Sequence, residues 1–294
     1  MTSARIRLAT VVLAACGAIV VAASPVSLPP IPAGQFPPPS TVDPIHRPYD
    51  QILDISVRDG LVYYRALKSM RANFDRYVAS LDVPAAEVEK WARPRQIAFW
   101  INAYNALVID AVLDAYPIRG RSAEYPANSL RQVPGVFETK KHRVAGRNLT
   151  LDEIERTVLA GFGDPRVFLA LGRGSVGGGR LRSSAYSGDT LDADLKEVAA
   201  ECVTRQACAS IDAGGHVLAV TPVFSWREAE FVKAYGDDAM SAYPGRSPLE
   251  RAILHVLAPH FLGTERDALA KNDFAVRFAP YDWRLNDLTG GGPR

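Results

Sequence analysis

The residues that usually build nucleophilic and metal sites are scarce in this chain, with three cysteines and five histidines among 294 residues. No dense Lys/Arg block occurs and the formal charge is only +2, which argues against nucleic acid or anionic lipid as a partner. No grouping has metal-ligand spacing. His255 and His260 stand either side of Pro259 without a Cys or carboxylate at a useful distance, so no metal and no other cofactor is expected. Internal repeats are absent, as is a second linker. The most telling absence is local. Arg166–Tyr186 reads RVFLALGRGSVGGGRLRSSAY, an apolar run followed by a glycine-saturated loop and an Arg/Ser segment. That is the layout of a strand feeding a functional loop, yet the loop holds no Cys, His, Asp or Glu. Its one candidate nucleophile is Ser175.

What is present is apolar material. At 48% hydrophobic and 22% charged, the chain can bury the core of one large domain or two small ones. Without an internal boundary, one globular domain is expected over 49–290, with the Gly-Gly-Gly-Pro-Arg tail loose. Ahead of it, Arg5 and Arg7, the uncharged run from Leu8 to Ala23 and the small residues Val21-Ala22-Ala23 form a signal peptide over 1–23. The run is shorter than the roughly 20 residues that a spanning helix needs. The expected location is therefore periplasmic or secreted. Leu13-Ala14-Ala15-Cys16 also reads as a lipobox, which would make an outer-membrane lipoprotein anchored at Cys16, the route by which a membrane enters. An uncleaved anchor is a third reading. Nine prolines between Pro25 and Pro48 make 24–48 an extended tether. Cys202 and Cys208 remain after processing, and in an oxidising compartment they are expected to form a small disulfide loop.

Periodicity predicts a helix over 96–116, stopped by Pro117. Thr150-Leu-Asp-Glu153 and Ser247-Pro-Leu-Glu250 are capping boxes. Helices are also expected over 191–203, capped by Asp189 or Thr190, and over 226–235, capped by Ser225. Strands are expected at 141–144, 147–149, 166–171, 216–221 and 274–279. Early helices and few scattered strands give an α+β class, a single mainly helical globular domain with a small sheet.

Each candidate site has a plain structural counterpart. Gly172-Arg-Gly-Ser-Val-Gly177 fits the dinucleotide pattern G-x-G-x-x-G, but Gly178 and Gly179 stand where a helix should begin, so a tight turn is favoured. Ser175 lacks the glycine two positions earlier that a nucleophile elbow needs. It also needs a base, to be drawn from His142, His216, His255 and His260. Asn102 and Asn105 lie in the most apolar helix. Asn105 is offset by about 40° from Ile101 and should face the core, so its amide either ties down a loop or lines a site. Arg180 and Arg182 could bind a carboxylate or phosphate, or pair with surface acids.

Phe99-Trp-Ile-Asn-Ala-Tyr-Asn-Ala106, Asp164-Pro-Arg-Val167, Ser175-Val-Gly177, Leu181-Arg182, Ala185-Tyr186, Phe224-Ser-Trp226 with Phe231, and Tyr281-Asp-Trp-Arg-Leu-Asn286 together resemble the bacterial domain of unknown function 547, over about 50–287. The family pattern reads D-P-R-[VI]-H-F-A-L-N-C-A-S-V-G-C-P. Its His falls on Phe168, its Asn on Gly172, its first Cys on Arg173, its second Cys on Gly178 and its Pro on Gly179. The resemblance thus implies thiol chemistry in relatives that this copy has lost. The expected function is a non-catalytic binding or envelope accessory protein, a possible pseudoenzyme. Its cleft would be lined by Trp100, Asn105, Ser175, Arg182 and Trp226 and would take an unknown small molecule or envelope component. The alternative is a hydrolase or acyl transferase using Ser175.

Overall fold

Asp43 caps the first of the described elements. In this computed structural model, which describes residues 41–290 except 213, 215 and 241, its carboxylate accepts the Ile45 amide (3.2 Å) and caps a short 3-10 turn, Pro44–His46. His46 and Tyr49 are buried, so packing begins ahead of the boundary expected at 49. The signal peptide, the Cys16 lipobox and the tether up to residue 40 lie outside the described residues.

The early helices are α1 (Arg47–Ser56), α2 (Tyr64–Ser69), α3 (Arg71–Ser80) and α4 (Ala85–Val88), leading into α5 (Arg93–Ala115). Between α1 and α2 lies a hairpin, β1 (Val57–Arg58) and β2 (Leu61–Val62). Its turn is Asp59-Gly60, both at positive φ, the two-residue connection that Asp-Gly favours. That hairpin escaped the sequence reading because its strands are too short to show alternation.

Helix α5 is the axis of the core. Pro94 sits in its first turn, where a missing amide donor costs nothing. By length and composition it is apolar enough to cross a membrane, but 89% of its apolar window is inside the protein, so it is a core helix. Helices α2 and α3 pack on it, as do α6 and α7 below. The second hairpin, β3 (His142–Val144) with β4 (Arg147–Leu149), forms where expected. The Thr150/Glu153 capping box then opens α6 (Leu151–Glu153), which widens into a π-helix over Ile154–Leu159.

The strand expected at 166–171 is absent. Pro165–Leu169 is a 3-10 helix, with Asp164 accepting the Arg166 amide (3.2 Å). Val167, Phe168 and Leu169 are buried. A short apolar run enclosed on all sides carries no periodicity to separate strand from helix, and the Asp-Pro start decides it. With neither a strand before the glycines nor a helix directly after them, the dinucleotide reading fails.

The next helix is α7 (Leu191–Val203). Its N-cap is Thr190, whose hydroxyl reaches Asp194 (2.8 Å) and caps no amide. The Cys202 and Cys208 sulfurs lie at bonding distance, 2.05 Å, just before β5 (Ala209–Asp212). Strand β6 (Val217–Val220) pairs antiparallel with β5, and β7 (Ala275–Phe278) joins β6 in parallel. The connection from β6 to β7 carries α8 (Val223–Trp226), α9 (Glu228–Tyr235), α10 (Pro248–Leu257) and α11 (Gly263–Ala270). The single helix expected over 226–235 is broken at Arg227. Ser225 does not cap it, because its hydroxyl donates to Pro222 O (2.8 Å). Ser247 and Glu250 do form their capping box. The fold is α+β, mainly helical, with three small sheets rather than one.

Candidate functional site

The glycine loop is held from both sides. From α5, the Asn105 side chain donates to Ala170 O (3.1 Å) and accepts from Gly172 N (2.9 Å). Asn102 does the same at Tyr186, donating to its carbonyl and accepting from its amide (2.9 Å each). Both amides are loop anchors. Replacing Asn105 by Leu, similar in bulk, should lower stability by roughly 1–3 kcal/mol, because it strands a buried carbonyl and amide. A thermal shift indistinguishable from zero would mean that the loop is not held from α5.

From the other side comes the segment 281–287. Val176 N donates to Arg284 O and Gly177 N to Asp282 O (2.9 Å each). Asn286 accepts from Tyr64 OH (2.8 Å) and donates to Gly60 O (3.0 Å), while Asp287 accepts from Tyr116 OH (2.8 Å). The Tyr-Asp-Trp-Arg-Leu-Asn ending is therefore the strap that closes the loop onto the helices.

Inside this frame the backbone leaves no room for a side chain at Gly177, Gly178 or Gly179. A Cβ at Gly178 would fall 2.0 Å from Gly172 O, and one at Gly179 would fall 2.1 Å from Leu169 O. These are the positions on which the family pattern places Cys and Pro. Restoring those residues requires a different loop path.

Arg173 stands where the pattern has its first Cys. It sits at positive φ (49°), sparsely populated for a residue with a Cβ, and is 3% exposed. Its guanidinium donates to Glu155 (2.7 Å) and to the carbonyls of Phe168 and Leu171 (3.2 Å each). Glu155 comes from the π-helix and also accepts from Tyr104 OH (3.2 Å). Burial alone would raise the Glu155 carboxyl, but Arg173 at bonding distance, with Arg227 nearby, holds it below the usual range. Burial opposes the Arg173 charge, and Glu155 more than offsets it. The pair is a buried ion pair with its hydrogen-bonding groups largely satisfied.

Ser175 is 4% exposed and its hydroxyl lies 2.8 Å from Tyr281 OH. Burial raises the Tyr281 phenol, so it stays neutral. Among the described residues no histidine hydrogen-bonds Ser175. His46 is engaged with Tyr77 (2.8 Å), and His216 and His255 lie against Asp273 and Asp238.

Beside the ion pair opens a cleft of about 180 Å³. Its aromatic wall is Tyr104, Phe137, Trp226 and Trp283, and its polar lining is Arg131, Arg156, Arg173 and Arg227 with Asp152 and Glu155. Trp226 is 46% exposed. Its ring lies 18° from parallel with Trp283, at 6.1 Å between centroids, and Tyr281 packs against both.

Of the five residues expected to line a cleft, Trp226 lines this one. Asn105 and Ser175 support the loop from behind. Trp100 is buried in the core and borders a different depression, with Gln96, Arg147 and Phe162. Arg182 pairs with Asp194 (3.1 Å) and Glu197 (3.0 Å) on α7, and Arg180 with Glu201 (3.1 Å) and Asp59. Both arginines follow the surface-pairing reading. The residues missed are Arg131, Phe137, Glu155 and Arg227, which are distant in sequence and belong to no motif. Among the described residues, no group of three or more His, Cys, Asp or Glu is placed to hold a metal ion. A larger hollow of about 360 Å³ lies between the three-stranded sheet and α11, floored by Ile211, Leu218, Leu269 and Phe274. No motif residue borders it.

Fold and loop together define an α+β domain built around a strapped glycine loop. Residues 88–203 match the family described as "Protein of unknown function, DUF547", so the chain carries a segment of that family. The matched span takes in α5, Asp164-Pro165, the glycine loop and α7, whereas Trp226 and the 281–286 strap lie beyond it. No curated protein and no solved structure matches the chain.

Proposed function

We propose that this chain is an exported, non-catalytic binding protein of the cell envelope, with the cleft between Trp226 and Arg173 as its ligand site. One observation carries the reading: every position from which the loop could do covalent chemistry is otherwise engaged. Arg173 is tied to Glu155, Gly178 has no space for a side chain, and Ser175 is covered by a neutral tyrosine rather than addressed by a base. An open aromatic wall facing arginines is, by contrast, the make-up of a recognition site. The Cys202–Cys208 pair, in its small loop, suits an oxidised state in such a compartment.

Intact-mass analysis of the mature protein tests this. After incubation with a broad fluorophosphonate and then iodoacetamide without reduction, the mass should be unchanged. A fluorophosphonate adduct lost in Ser175→Ala would make the chain a serine hydrolase or acyl transferase. Alkylation of Cys202 or Cys208 would overturn the oxidised state.

A further inference from the structure

The lining of the cleft is richer in arginines than in carboxylates. Four arginines line it against two carboxylates, Asp152 and Glu155. The other two arginines find their acids behind the wall, Arg131 at Glu138 and Arg227 at Glu230. Arg227 is 6% exposed. Burial lowers its proton affinity, and the like charges of Arg156 and Arg173 add to that against the pull of Glu230 and Glu155. Because two of the four partner carboxylates, Glu138 and Glu230, lie outside the lining, an anionic group entering the cleft meets more donors than acceptors.

Shape narrows the class. The Arg131 guanidinium carbon lies over Phe137 (4.4 Å) and Trp283 (4.9 Å), which places a planar cation beside the aromatic wall. The planar acceptor that matches its fork is a carboxylate. The half-exposed Trp226 ring offers a stacking face for a flat or chair-shaped ring. At about 180 Å³, the cleft is smaller than the roughly 300–1,000 Å³ of a site for a drug-sized molecule, so it holds one substituted ring. Resting on the binding reading above, we infer that the cleft takes a small molecule bearing a carboxylate on a six-membered ring, with the ring on Trp226 and the carboxylate toward Arg131. The ring is either aromatic or that of a sugar acid.

Isothermal titration calorimetry with the mature protein tests this, using benzoate and glucuronate as probes. Benzyl alcohol and methyl glucoside serve as neutral counterparts, and acetate as the ringless acid. At least one ring carboxylate should bind about tenfold or more tighter than its neutral counterpart and than acetate. That preference should fall about tenfold in Trp226→Ala and in Arg131→Gln. Trp226 is half-exposed, so its variant reads binding without a folding defect. Benzoate alone would mark an aromatic acid, and glucuronate alone a sugar acid. Neutral rings binding equally well, with loss in Trp226→Ala, would overturn the ligand class and leave the binding reading standing, whereas binding untouched by either substitution would place the ligand outside the cleft and overturn both. If neither carboxylate binds, the inference is wrong. A Trp-fluorescence screen of neutral and cationic fragments then separates the two claims: hits lost in Trp226→Ala keep the cleft as a binding site, and their absence removes it.

Discussion

Replacing Arg173 by Met is expected to lower the free energy of unfolding by about 3–5 kcal/mol, the usual cost of stranding one member of a buried ion pair. Glu155, 2.7 Å away, would then keep only the Tyr104 hydrogen bond, with Arg227 nearby, and the carbonyls of Phe168 and Leu171 would each lose a donor, Leu171 retaining the Gly179 amide. The single Glu155→Gln change should be milder, because the amide oxygen still accepts from Arg173. The double replacement Arg173→Met with Glu155→Leu should recover much of the loss, since an apolar pair of similar volume often matches a buried salt bridge. Urea denaturation of the four proteins reads these differences. A loss under about 1 kcal/mol in Arg173→Met would mean that the pair is solvated and does not form the floor of the cleft.

Acid should destabilise the fold well above the range where carboxylates titrate. His46 and His142 are both held down to about 4, chiefly by burial. Asp43 opposes and Arg95 reinforces the effect at His46, while Lys140 reinforces and Asp114 opposes it at His142. Each ring must stay neutral in the folded state, whereas in the unfolded chain it takes a proton near 6.5. The stability that each contributes is therefore fully present above about 6.5 and is lost as the pH falls toward 4. The loss reaches about 3 kcal/mol per group at about 1.4 kcal/mol per pH unit. Against a typical total of roughly 5–15 kcal/mol, two such groups dominate acid sensitivity. Unfolding free energies between pH 7 and pH 4 should fall steeply, and His46→Gln should flatten the profile by about half. A flat wild-type profile would show that both rings are protonated inside the protein.

These two effects sit differently in the sequence. The α5 axis, both capping boxes and the second hairpin were legible because their signals are local: apolar residues at 3.6-residue spacing, a hydroxyl three residues before a glutamate, and a turn between short extended runs. Asn105 was legible as a core-facing amide, since a polar group on that face must find partners. Its choice between loop anchor and ligand contact was not, because the partners Ala170 and Gly172 are 65 and 67 residues away. The 166–171 run failed for a related reason. A segment buried on every side has no polar face to reveal its period.

By itself the sequence determined the α+β class, the core helix, the family pattern in the glycine loop and the departure from it at Phe168, Arg173, Gly178 and Gly179. Those features reside in residue types and in spacings shorter than one element. Only the tertiary structure decided what replaced the missing chemistry. The strap at 281–287 brought Tyr281 onto Ser175, a π-helical turn carried Glu155 to Arg173, and the helix break at Arg227 set Trp226 open beside them. Each depends on contacts between segments tens to hundreds of residues apart. Their approach is set by burying α5 and by satisfying the backbone of a loop too tight for side chains.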